Sequence, residues 1–173
     1  MGKEYSEDEL AAIKVESEYG KLYARSLEYV LMRPHSAYEV QQYLYRKTRA
    51  TRTKDGQLKP GYSKETTDRV YARLEERGYL DDSRFATYWI ENRRLKKGAS
   101  RRLLQSELSA KGVSSAITEA ALAESSRSDR DELQKAVQKK SARYSDKSKF
   151  IQYLMRQGFR YDDIADELSG WGE

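Results

Sequence analysis

A short pattern occurs three times along this chain, and a repeat limits what a chain can fold into more than any single segment does. Leu44, Leu108 and Leu154 anchor it. Eight residues before each stands a good helix N-cap: Ser36, Ser100 and Asp146. Four residues before each stands an apolar partner on the same helix face: Val40, Leu104 and Phe150. A further helical stretch follows each time, marked by Val70 and Leu74, by Ile117 and Ala121, and by Ile164 and Leu168. The leucines are 64 and 46 positions apart, and the excess of 18 matches a polar segment at 48–64. The pattern predicts an all-α chain of three tandem three-helix repeats at 22–81, 82–125 and 126–173, the first carrying a basic insertion at about 48–64. An acidic helix within residues 1–21 precedes them. Such small units bury little apolar area alone and stack against their neighbours, so the expected product is elongated.

Local signals agree with this division. YARSLEYVLMR at 23–33 spaces Tyr23, Leu27, Val30 and Leu31 as a helix would, and Pro34 stops it. The stretch 48–64, TRATRTKDGQLKPGYSK, is polar with D-G and P-G turn signals, and reads either as a mobile loop or as a short hairpin around Asp55–Gly56. Gly78 is placed to end the helix that holds Val70 and Leu74, and Gly98, Gly112 and Gly158 mark later breaks. SSRSD at 125–129 reads as a linker.

Composition narrows the function. Cysteine is absent and His35 is the only histidine, which excludes disulfides, thiol nucleophiles and Cys-type zinc sites. No Walker A, G-x-G-x-x-G or G-x-S-x-G sequence occurs. No cofactor and no enzymatic activity are expected. The N-terminus lacks the apolar core of a signal peptide, and no run approaches the ~18 apolar residues of a membrane helix. A cytoplasmic chain without membrane contact is the expectation.

Asp81 and Asp82 in RGYLDDSRFA raise the question of a catalytic carboxylate pair. Metal-dependent chemistry wants carboxylates converging from separate elements. Adjacent aspartates before an apolar stretch suit the start of a helix, where a carboxylate accepts from free N–H groups and faces the positive end. A similar phrase recurs as GFRYDDI, where Asp162 or Asp163 can cap the last helix. His35, after Pro34, reads as a turn or surface residue.

Charge is concentrated in the middle. Residues 1–20 carry six acids and two bases, residues 21–80 thirteen bases and seven acids, and residues 84–111 eight bases and two acids. A basic block is either a solvated helix face or a surface for a polyanionic partner. The densest run, NRRLKKGASRRLL, holds Arg93, Arg94, Lys96, Lys97, Arg101 and Arg102. The first four suit the C-terminus of a helix. Arg101 and Arg102 stand at a helix N-terminus, where a cation is unfavourable, and an anionic partner accounts for them. Arg46, Lys47, Arg49, Arg52, Lys54 and Lys59 in or beside the insertion add to the surface or solubilise a loop. Tyr23, Tyr43, Tyr71, Tyr88 and Tyr153 sit at core spacing, whereas Tyr45 and Tyr62 are freer to stack on bases.

LEERGYLDDSRFA at 74–86 and KKGASRRLLQSELSAKGV at 96–113, with the three-unit pattern, resemble the RecX family of bacterial modulators of the RecA recombinase. The resemblance covers about residues 22–168. It implies a cytoplasmic, non-enzymatic chain whose repeats form a curved rod; a monomer is our own expectation. It also implies binding in the groove of the RecA–DNA filament, suppressing ATP hydrolysis, strand exchange and co-protease activity. Some members of the family bind DNA, so single- or double-stranded DNA is a further partner. Carried over by position, Arg84, the stretch Arg93–Arg102 and Lys111 are the contact residues. Two features depart from the family pattern: the insertion, and Ala99–Ser100 where a glycine–proline type of turn is common. A stand-alone DNA-binding protein with helix-turn-helix-like units is the competing reading.

Overall fold

The three N-caps on which the repeat rests all form. Ser36 accepts from the backbone N–H of Glu39, Ser100 from Leu103, and Asp146 from Ser148 and Lys149. Each satisfies donors that a helix start leaves without an internal partner, worth ~1 kcal/mol apiece. The computed structural model describes residues 5–92 and 98–170. Among them are nine α-helices, one 3₁₀ turn and one two-stranded ribbon. The fold is all-α, with that ribbon the one sheet among the described residues, and the chain divides into two compact units, Met1–Asp81 and Asp82–Glu173.

The first unit packs α1 (Glu7–Met32), α2 (Ala37–Lys47) and α3 (Lys64–Glu76). Leu22, Val30, Val40, Leu44, Val70 and Leu74 form its core. Burying a leucine side chain is worth roughly 2 kcal/mol, so these few residues hold the three helices together. Where sequence reading divides the N-terminal helix from the repeat at residue 21, α1 runs through without a break. Gly20 costs a helix interior ~1 kcal/mol. Contacts on either side outweigh that cost: Leu22 is buried, Tyr19 stacks on Tyr23, and Glu16 pairs with Arg69 of α3. Ser6 and Glu9 form a reciprocal capping box at its start. Leu31, at helical spacing with Leu27 and Val30, is exposed.

His35 lies in the connection between α1 and α2, as the turn reading has it, but it is buried and not on the surface. Its ring lies 3.9 Å from that of Tyr29, and its Nδ1 is 2.8 Å from the Arg33 carbonyl oxygen. Tyr62, read as free, packs against the core. The helix of Val70 and Leu74 ends as predicted. Gly78 has φ 71°, its N–H donates to Glu75, and the N–H of Tyr79 donates to Leu74. That is a Schellman end, and Leu80 folds back onto the core.

Of the two readings of 48–64, the hairpin is the one formed. β1 (Thr51–Arg52) and β2 (Leu58–Lys59) pair antiparallel, with Gly56 at φ 77° in the turn. Its base is fixed by a close approach: a Cβ on Gly61 would lie 2.1 Å from the carbonyl oxygen of Thr48. The N–H of Tyr62 also donates to the Lys47 carbonyl.

The second unit holds two apolar clusters. Phe85, Ala86, Ile90, Leu104, Leu108 and Leu122 join α4 (Asp82–Asn92), α5 (Arg101–Ala110) and α6 (Ser115–Glu124). Leu133, Phe150, Leu154, Phe159 and Ile164 join α7 (Asp129–Lys140), α8 (Lys147–Arg156) and α9 (Tyr161–Glu167). Gly112 and Gly158 repeat the Schellman pattern at the ends of α5 and α8. The cap expected from Asp162 or Asp163 does not form. Arg160 holds that position without a side-chain cap, and both aspartates lie in the first turn of α9. There they interact with the positive helix end, which accounts for their charge equally well.

Candidate functional site

Asp81 immediately precedes α4 and Asp82 lies in its first turn, the place where a carboxylate serves the helix start. Among the described residues no three His, Cys, Asp or Glu side chains gather as a metal would require. The candidate site is therefore the set of cations, taken unit by unit.

In the first unit, Arg46 and Lys47 close α2. Cations there complement the negative helix end. Lys47 lies 4.6 Å from the centre of the Tyr43 ring. Arg49 lies 5.1 Å from the ring centre of Tyr45, whose side is 55% exposed. Arg52 sits in β1, and every residue from Arg49 to Pro60 is exposed. The fold thus brings Arg46, Lys47, Arg49 and Arg52 onto one helix end and the ribbon that grows from it. Arg25, Arg46 and Arg33 also lie near the stacked pair Tyr29 and Tyr43, whose rings are 4.2 Å apart. Burial nonetheless raises the pKa of both phenols, with Glu39 adding to it at Tyr29 and Glu28 at Tyr43.

In the second unit, Arg93, Arg94, Lys96 and Lys97 lie outside the described residues. Arg84 and Arg102 are exposed, on α4 and in the first turn of α5. Arg101 is half-buried, and its backbone N–H donates to the Asp129 carboxylate at 2.7 Å. An internal carboxylate therefore already serves the N-terminus of α5, a role the sequence reading left to an outside anion. Lys111 is the C-cap of α5, with its ammonium 4.4 Å from the Trp89 ring centre and 5.9 Å from that of Phe85. Trp89 in turn donates from Nε1 to Glu107. Lys111 thus ties α5 to α4 in the chain by itself, whatever else it contacts.

Sequence reading missed the polar joint between the two clusters. Arg127 donates to the Ile90 carbonyl and to Glu132, and Glu132 also accepts from Lys135. Glu132 is 6% exposed. Arg127 lies in a segment without helical period, so nothing in the pattern marked it. Gly98 touches the same joint: a Cβ there would lie 2.6 Å from the Glu132 carbonyl oxygen.

Comparison with known proteins places this architecture. Residues 81–122 match the family description "RecX, second three-helix domain". The Regulatory protein RecX of Escherichia coli O1:K1 / APEC is 31% identical over 156 residues, covering 86% of this chain and 90% of that protein. The Regulatory protein RecX of Mycobacterium ulcerans (strain Agy99) is 48% identical over 69 residues, covering 39% of this chain. The chain matches only 40% of that mycobacterial relative's length. Among solved structures, a regulatory protein RecX superposes with TM-score 0.68 at 18% identity, over 98% of this chain and 81% of that one. RecX from Lactobacillus salivarius gives TM-score 0.62 at 18% identity, over 90% and 97%. The superpositions speak to the fold alone. The alignment along nearly the whole of the E. coli protein goes further: this chain belongs to the RecX family.

Proposed function

We propose that this chain regulates the RecA recombinase. It binds in the groove of the RecA–DNA filament and suppresses ATP hydrolysis, strand exchange and co-protease activity, with a place in homologous recombination, DNA repair and the SOS response. The observation that carries this reading is the 31% identity across 90% of a protein named for regulation. The basic middle of the chain fits it, because a DNA-bearing filament is a polyanion and cations on a protein surface steer it there. We read the chain as three repeats at 22–81, 82–125 and 126–173. It acts in the cytoplasm, as a monomer, by binding and not by catalysis. Arg84, Arg93, Arg94, Lys96, Lys97, Arg101, Arg102 and Lys111 supply the filament contacts.

Co-sedimentation with RecA filaments on single-stranded DNA, assembled with a non-hydrolysable ATP analogue, tests this. The wild type pellets with the filament, and a folded Arg93/Arg94/Arg101/Arg102→Ala variant stays in the supernatant. A wild-type chain that stays in the supernatant overturns the proposal.

The exposed cationic ribbon favours a second reading, in which the chain also holds bare DNA through Arg46, Lys47, Arg49 and Arg52. That reading predicts binding without RecA, weakening steeply with salt as counterions are released.

A further inference from the structure

Two grooves stand at equivalent places in the leucine pattern. Between α2 and α3 lies one of about 500 Å³, walled by Gln41, Gln42, Tyr45 and Tyr71 among others. Between α5 and α6 lies one of about 320 Å³. Counted from Leu44 and Leu108, Gln105 stands where Gln41 stands, Ser106 where Gln42 stands and Ser109 where Tyr45 stands. Counted from Val70 and Ile117, Thr118 takes the place of Tyr71. The groove of the second unit thus has hydroxyls in place of both rings. Among the described residues no base lines it, and Glu119 supplies its one charge. Its floor is Val113 and Thr118, 4% and 3% exposed. The Thr118 hydroxyl makes no hydrogen bond among the described residues, and neither does the Glu119 carboxylate. A buried hydroxyl without a partner carries its full desolvation cost, which a valine of the same shape would avoid. Threonine is also a weaker helix former than alanine, so α6 gains nothing from it. The cations beside the groove are turned elsewhere: Lys111 sits over the Trp89 ring, and Arg102, one turn before Ser106, does not line it. At the positive end of α6, Ser114 already accepts from the Ile117 N–H. Ser109 lies in the last turn of α5, whose negative end favours a cation.

We propose that the groove between α5 and α6 takes up an arginine side chain of a protein partner, its guanidinium paired with Glu119 and donating to the Thr118 hydroxyl. A guanidinium has five N–H donors and no acceptor, so it needs what this groove supplies: carboxylate, hydroxyl and amide oxygens with no competing cation. Its planar fork meets several oxygens at once, where an ammonium meets them from a single point. Its apolar stem covers Val113. The volume lies at the small end of ligand pockets, which suits one side chain and not a larger molecule. A polyanion meets only the Glu119 carboxylate there, so this site is of the opposite kind to the basic ribbon. It stands on α5 and α6 alone and needs no RecA, so filament regulation can fail while this site stands, and the reverse.

The test is an NMR titration of the isotope-labelled full chain with N-acetyl-arginine amide, which carries the side chain without a free carboxylate. Backbone amide shifts gather on Ser106, Ser109, Thr118 and Glu119 and saturate in the millimolar range, as so small a ligand allows. Thr118→Val keeps the shape of the floor and Glu119→Gln the size of the rim, and each weakens binding about tenfold through one lost hydrogen bond. The lysine analogue binds more weakly than the arginine one. The citrulline analogue, of the same shape without the charge, does not saturate, and neither does inorganic phosphate. Shifts that fail to saturate with the arginine probe overturn the proposal. So do shifts that persist unchanged in both folded variants, and so does a citrulline, lysine or phosphate titration that matches the arginine one.

Discussion

The carboxylate of Asp129 accepts a hydrogen bond of 2.7 Å from the backbone N–H of Arg101, 28 residues away. Asp129 lies in the first turn of α7, so one carboxylate serves the positive ends of two helices. Asp129→Ala removes an ionised acceptor from a half-buried donor, at a cost of about 2 kcal/mol. Asp129→Asn keeps an acceptor and costs less. Urea denaturation of both variants gives the ranking, and equal midpoints for Ala and wild type would contradict it.

Glycines at helix ends are not interchangeable here. A Cβ at Gly78 meets nothing within 4 Å, so Gly78→Ala pays only for its positive φ, roughly 1 kcal/mol. A Cβ at Gly158 would lie 2.3 Å from the Ser100 hydroxyl oxygen and 3.1 Å from the Leu103 backbone nitrogen. Gly158→Ala therefore adds a clash at the N-cap of α5 to the same strain. Thermal melts should place Gly158→Ala well below Gly78→Ala, and coinciding melts would mean that α5 yields without cost.

The Arg127–Glu132 pair is a buried joint, with side chains 16% and 8% exposed. Glu132→Leu leaves the Arg127 guanidinium without its carboxylate and destabilises by about 3 kcal/mol. Adding Arg127→Met to it recovers most of that loss, because an apolar pair needs no compensation. A double variant no more stable than Glu132→Leu alone would show that the guanidinium's bond to the Ile90 carbonyl matters more than the ion pair.

Burial raises the pKa of Tyr29 and Tyr43, so the folded state holds their protons more tightly than the unfolded chain does. The stability this gives is full below the unfolded phenol pKa of about 10 and is lost as pH rises through the higher folded values. Stability should therefore fall above pH ~10, and less so in Tyr29→Phe/Tyr43→Phe. Urea midpoints at rising pH read this directly. Equal alkaline losses in the variant and the wild type would assign the effect to other groups.

Much of the fold was legible because caps and periodicity are local. Ser36, Ser100 and Asp146 announce helix starts within four residues of the donors they satisfy, and Gly78, Gly112 and Gly158 announce ends by the left-handed turn that follows. What escaped reading is set by contacts distant in sequence. The N-terminal helix reads as ending by residue 21, and the pairing of Glu16 with Arg69 of α3, 53 positions on, the Tyr19–Tyr23 stack and the burial of Leu22 carry α1 past it. His35 reads as a turn or surface residue; it does lie in the connection between α1 and α2, but Tyr29 covers it. The basic character of the candidate surface was plain from the sequence. The carboxylate of Asp129 at Arg101, the Trp89 ring under Lys111 and the groove beside Tyr45 depend on which helices meet. No spacing within one helix encodes that.

The central claim is regulation of RecA, and RecA's DNA-dependent ATP hydrolysis tests it most directly. Wild-type chain at substoichiometric amounts should suppress hydrolysis, and the folded Arg93/Arg94/Arg101/Arg102→Ala variant should not. Unchanged hydrolysis at a full equivalent of the wild-type chain would contradict the account.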